Sequence, residues 1–158
     1  MIPELDPTVD LRLDRTLSVP RSLVWECWTK PEHIPHFFVP RPHSIADCEI
    51  DLRVGGRFFT AMIVDGQEMP NEGVFLDIEP EEKLVWTDGY TVGWKPAPDP
   101  FMTAMLFLSD TADGGTHYTA IARHRTPEKR DVHAEMGFAD GWSTVASQLE
   151  SYIQTKLL

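Results

Sequence analysis

Cysteine is scarce in this chain: among 158 residues there are only Cys27 and Cys48. Both sit in otherwise apolar patterns, so two reduced core thiols are expected rather than a disulfide framework. Basic residues are few as well, 14 against 25 acidic ones, for a net charge of −11. That balance repels nucleic-acid phosphates and anionic lipid surfaces, and no basic stripe offers a local exception. Long apolar runs are missing, and nothing approaches the stretch that would span a bilayer. The amino terminus, Met1-Ile2-Pro3-Glu4-Leu5-Asp6, is acidic and has no apolar h-region. No secretory leader is expected from it, and the cytoplasm is the expected location. A Gly-x-Ser-x-Gly elbow, a Walker loop and a dinucleotide fingerprint are absent too, so no nucleophile motif is present and no cofactor is expected.

What is present is 42 % hydrophobic residues, enough for the core of one domain over residues 1–158. Residues 1–10 read as a loose lead-in. Leu11, Leu13, Leu17 and Val19 then share one parity, the period of a half-buried strand. Pro20 opens a helix carrying Leu23, Val24, Cys27 and Trp28. Pro31 opens a second, short one with Ile34, Phe37 and Phe38, which Pro35 keeps irregular. From residue 44 the period is two again: Ala46, Cys48, Ile50, Leu52 and Val54 fall on one face, Asp47, Glu49, Asp51 and Arg53 on the other. Further strands are predicted over 57–64, 73–78, 83–87, 101–108 and 116–124, with a Gly/Pro-rich loop from Asp88 through Pro100.

Thr126-Pro127-Glu128 then reads as an N-cap, a first-turn proline and an acid that complements the helix dipole. Phe138, Trp142, Val145, Leu149 and Tyr152, with Ile153 beside it, mark the buried stripe of one long amphipathic helix. The order is strand, two helices, six strands, long helix. Short turns favour an antiparallel meander, and a twisted sheet wraps its concave side around the one helix available to cover it.

Three segments carry a family resemblance: Ser18-Val19-Pro20-Arg21-Ser22-Leu23-Val24-Trp25, Asp51-Leu52-Arg53-Val54-Gly55-Gly56-Arg57-Phe58 and Gly137-Phe138-Ala139-Asp140-Gly141-Trp142. They resemble the SRPBCC, or START-like, superfamily, in the branch similar to the activator of heat-shock-protein-90 ATPase. Pro100-Phe101-Met102-Thr103 and Gly115-Thr116-His117-Tyr118-Thr119-Ala120 look like two further strand motifs of bacterial members. The resemblance covers about residues 10 to 156 and implies an α+β helix-grip fold. Its members include lipid carriers, hormone receptors and cyclases, so it fixes no activity. Phe37-Phe38 stand where many relatives carry paired tryptophans. The separate amino-terminal domain of the eukaryotic co-chaperones has no counterpart here, which sets a chaperone contact behind the other readings.

The expected partner is a small apolar or amphipathic molecule held between the sheet and the final helix. A cyclase- or hydrolase-type enzyme using the same cavity is one alternative, and a co-chaperone or protein-interaction domain is another. Gly137 and Gly141 are read as positions inside a helix, where each glycine costs about 1 kcal/mol relative to alanine and needs a reason. Clearing room for a ligand is one reason, and close helix–strand approach is the other. Trp28, Phe38 and Trp86 are candidate walls that also suit an ordinary core. Tyr90 and Trp94 lie in the Gly/Pro-rich loop and read as a lid. His133, with His124, is placed at one end of the pocket as a hydrogen-bonding group. His33 and His36 are three apart, but a zinc site needs three or four converging ligands, so no metal is expected. Asp51 and Arg53 read as surface ion-pair partners rather than catalysts.

Overall fold

The computed structural model describes residues 2–158. The chain runs through β1 (Asp10–Leu17), α1 (Arg21–Thr29) and a 3-10 turn at Ile34–His36, then β2 (Ser44–Ile50), β3 (Arg57–Val64), β4 (Gln67–Glu79) and β5 (Lys83–Thr87). A small hairpin, β6 (Tyr90–Thr91) and β7 (Lys95–Pro96), precedes β8 (Thr103–Asp110) and β9 (Thr116–Arg123). The chain closes with α2 (Pro127–Glu135), α3 (Phe138–Tyr152) and a π-turn at Ile153–Leu157. Seven strands form one antiparallel sheet in the order β1-β9-β8-β5-β4-β3-β2. The first strand thus pairs with the last, from Asp10 opposite Arg123 to Leu17 opposite Thr116. The expected helix-grip architecture is the one found.

The alternation that predicted β1 buries Leu13 and Leu17 toward the helices. Inward residues of β8 and β9 (Leu106, Leu108, Tyr118, Ala120) meet Ala146 and Leu149 of α3 and Ile153 just beyond it in one apolar cluster. The stripe read from the sequence is therefore the face that α3 lays on the concave side. Thr126 caps α2 as expected, its hydroxyl accepting from the Lys129 N–H at 3.2 Å, with Pro127 in the first turn.

Four expectations need correction. The C-terminal helix is not continuous: Gly137 has φ +94° and ends α2 by donating to the Ala134 carbonyl, while its own carbonyl accepts from Gly141 N–H to start α3. A left-handed glycine is the usual terminator of a helix. In β2 the register shifts between Ile45 and Asp47, so Ala46 bulges out and Ile45 joins Cys48 and Ile50 on the inner side. The strand stops at Ile50, and Leu52 and Val54 are exposed in the loop that follows. β4 is longer than the predicted 73–78, because the Asp65-Gly66 turn lets pairing begin at Gln67 opposite Val64. Pro70 is tolerated there because β5 pairs with β4 only from Val74 onward, leaving one side of Pro70 free.

The fourth correction concerns the lead-in, which is tied down rather than loose. Ile2 and Leu5 pack on Val85, Met105, Phe107 and Ile121, the outward residues of β5, β8 and β9. Asp10 is buried and accepts from Arg123 Nε and Nη2 at 2.9 Å and from the Asp6 N–H at 2.8 Å. Burial alone would raise its carboxyl, but these donors more than offset that and hold it below the usual carboxylate range. The sheet thus buries part of both faces.

Candidate functional site

Trp28 on α1 is the hub of the concave face. Its ring lies 5.4 Å from Phe37, 5.5 Å from Phe38 and 5.2 Å from Trp86, and Phe58 continues the chain of contacts to Phe38, Trp86 and Phe75. Edge and tilted packing of this kind suits the ring quadrupoles. Trp28, Phe38 and Trp86 are thus brought together as the sequence suggested, with Trp28 buried and the other two half-buried. The cluster occupies the space that a ligand would share.

One feature of that cluster is not ordinary core. The indole Nε1 of Trp28 is sealed from solvent and has no hydrogen-bond partner. The buried Tyr118 hydroxyl is near enough for that N–H to act on it. Burial pushes the Tyr118 phenol up, and the Trp28 N–H and the Arg15 guanidinium pull against that shift. Almost every buried donor in a folded protein is paired, and an orphan costs about 1–3 kcal/mol.

Tyr90 and Trp94 face each other edge to face at 5.9 Å on the β6–β7 hairpin, 40 % and 50 % exposed. Trp94 rests against Gly55, where an added Cβ would come within 3.1 Å of its ring. The structure therefore seats Trp94 on the β2–β3 loop, and it does not bring the pair to the Trp28 cluster. Gly137 and Gly141 do leave open space, since a Cβ at either would meet nothing within 4 Å. The helix-interior reading fails for Gly137, however, because its left-handed backbone strains any L side chain.

His133 lies on α2 and is 6 % exposed. Its Nδ1 is 2.9 Å from Nε2 of His124, whose Nδ1 is 2.8 Å from the Val9 carbonyl. Phe101, Phe138 and Trp142 surround the His133 ring at 4.8, 5.2 and 5.8 Å. Burial first, then the neighbouring His124, pushes His133 down to about 4. His33 and His36 instead clasp Tyr152: His33 Nδ1 is 2.7 Å from its hydroxyl, and the His36 ring stacks on it at 4.5 Å. Among the described residues no three metal-ligating side chains converge. Asp51 and Arg53 pair with each other at 2.7 Å on the surface.

Sequence reasoning missed Phe37, Phe58, Phe75 and Tyr118 as members of the site. Parity could have found Tyr118, which alternates inward with Ala120 and Ala122. Nothing local marks Phe101, which reaches the histidine pair from the loop before β8. Two surface depressions lie elsewhere. One of about 430 Å³ is bounded by Arg41 and the Ser143–Ser147–Ser151 face of α3, and one of about 330 Å³ by Ile2, Phe107 and His117 on the convex face. Neither is lined by a residue read from the sequence as ligand-binding.

The thiols of Cys27 and Cys48 are free, and burial pushes them up to about 12 and about 11. They have no thiolate character at neutral pH. No helix among the described residues is long and apolar enough to cross a membrane.

The fold has close counterparts. A Nitrosomonas europaea protein of known crystal structure is 44 % identical, with a TM-score of 0.93 over 97 % of this chain and 99 % of that one. A Mycobacterium smegmatis protein at 22 % identity superposes with a TM-score of 0.79 over 95 % and 93 %. An Aeromonas hydrophila protein described as AHSA1-like superposes at 0.66 with 15 % identity over 92 % of each chain. No curated protein matches the chain. The sequence model described as "Activator of Hsp90 ATPase homolog 1-like protein" matches residues 18–154, and with that span the chain belongs to this family of the SRPBCC superfamily.

Proposed function

We propose that this protein binds a small apolar or amphipathic molecule between the concave face of the sheet and α3, without doing chemistry on it. The observation that carries this reading is the unpartnered Trp28 Nε1, a hydrogen-bond donor sealed inside an aromatic cluster. Apolar walls with a few well-placed polar groups are what small-molecule sites are made of. A ligand carrying a hydrogen-bond acceptor would satisfy the indole N–H, and it would enter by moving the half-buried rings of Phe38 and Trp86. The buried, unreactive thiols and the absence of a nucleophile motif support binding over catalysis.

A second reading, contact with another protein, is favoured by the apolar residues exposed around Trp94: Leu52, Val54, Tyr90 and Val92. Native mass spectrometry of the purified chain separates the two. A small molecule of defined mass, released by organic solvent and retained at one per chain, is the expected result. A chain that stays at its bare mass and takes up no apolar aromatic compound when titrated would end the binding reading.

A further inference from the structure

The histidine pair carries more information than its burial. Resting on the binding reading above, we propose that His133 is a second polar subsite for the same ligand, one that accepts a hydrogen bond from a neutral hydroxyl, alcohol or phenol, in preference to a carboxylate.

The proton positions follow from the Val9 carbonyl. It accepts from the His124 backbone N–H at 2.9 Å and lies 2.8 Å from His124 Nδ1. A carbonyl cannot donate, so Nδ1 of His124 holds the proton. In a neutral ring Nε2 is then a lone pair, and it faces His133 Nδ1 at 2.9 Å. The proton of that contact belongs to His133 Nδ1. What remains is Nε2 of His133, an acceptor whose tautomer is set two bonds away by a strand-end carbonyl.

That atom makes no hydrogen bond among the described residues, yet it is not one of the sealed unpartnered atoms, so it still meets the outside. Phe101, Phe138 and Trp142 form its apolar collar. Gly137 and Gly141, which follow in the chain, carry no side chain that could add to this collar, and a Cβ at either would meet nothing within 4 Å.

The preference for a neutral donor comes from charge. Burial and His124 keep the ring uncharged at neutral pH. A carboxylate has no proton to give and would set its own lone pairs against that of Nε2. Arg123, the cation on the neighbouring strand end, is committed to Asp10 and the Glu4 carbonyl. A hydroxyl meets an acceptor with nothing else to bind.

The test titrates the full chain with naphthalene, 2-naphthol and 2-naphthoate by calorimetry in neutral buffer. We expect 2-naphthol to bind about 5–10-fold more tightly than naphthalene, as one net hydrogen bond gives, and 2-naphthoate to bind most weakly. His133→Phe should abolish the advantage of 2-naphthol over naphthalene. The 15N resonance of His133 Nε2 in the unsubstituted protein should move with 2-naphthol and not with naphthalene, a readout that does not depend on the variant folding. If naphthalene and 2-naphthol bind equally and the resonance is unmoved, the subsite is wrong while the pocket stands. Tightest binding of 2-naphthoate also overturns the subsite. If none of the three binds, the pocket falls with it.

Discussion

The two faces of the sheet are buried by different means. The concave face is filled by large rings under α1 and α3, whereas the convex face is covered at β5, β8 and β9 by a short strap carrying Ile2 and Leu5. Their polar groups differ as well. On the convex side Asp10 is saturated by Arg123 and the Asp6 N–H, and Asp14 accepts from the Thr119 hydroxyl at 2.8 Å and from Arg12. On the concave side the Trp28 indole N–H is sealed without a partner, while His133 Nε2 has no protein partner but still meets the outside. Arg130 Nε, the other sealed and unpaired atom, is on α2 and belongs to neither cluster. A face that serves folding alone has no cause to leave donors and acceptors unmet. The sealed, unmet donor of the aromatic cluster lies on the side where a second molecule would share the burial.

The largest effect expected from this contrast is on stability. Phe75, fully buried and stacked on Phe58 at 5.1 Å, should cost about 3–5 kcal/mol on truncation to alanine. Leu5→Ala on the strap, only half-buried, should cost about 1 kcal/mol. Chemical denaturation of both variants measures this, and equal losses would mean that the strap is as much a core as the grip.

The next effect is on pH dependence, and it belongs to the concave side. An unfolded histidine titrates near 6.5, and folded His133 is pushed down to about 4. Between those values the unfolded chain binds more protons, so stability should rise with pH across the window and fall as pH drops from about 6.5 toward 4. After allowance for solvent screening the loss should be roughly 2 kcal/mol. The carboxyls of Asp10 and Asp14 are held below their ordinary values by their donors and titrate lower still. Denaturation midpoints taken from neutral pH to 4 should therefore show a slope that disappears in His133→Phe. The same slope in both proteins would remove His133 as its source.

Much of the frame was legible because it rests on local periodicity. The alternation from Leu11 to Val19, the Thr126 cap and the Phe138-to-Tyr152 stripe each depend on residues close in sequence. The misreadings arose where one residue's backbone overrides the pattern around it. Ala46 bulges and re-phases β2, and Gly137 turns left-handed and divides the last helix. The strap could not be read from Ile2 and Leu5, because its warrant is the outward Val85, Met105, Phe107 and Ile121, far along the chain in mixed patterns. The aromatic cluster was visible in Trp28, Phe38 and Trp86, while its orphan N–H was not. An unpaired atom is a property of packing, and no residue type announces it.

Trp28→Phe tests the central claim most directly, because it deletes the orphan donor while keeping an aromatic ring at the centre of the cluster. If the indole N–H awaits a ligand, the empty variant should melt no lower than the parent in spite of the smaller ring. Relief of the unmet donor, about 1–3 kcal/mol, would offset the lost packing. Its affinity for an apolar ligand bearing a carbonyl acceptor should fall about 5–10-fold. Thermal melting and calorimetry on the one variant give both numbers. A variant that melts clearly lower yet binds the carbonyl ligand as tightly as the parent would show that Trp28 serves packing alone, and would contradict the account.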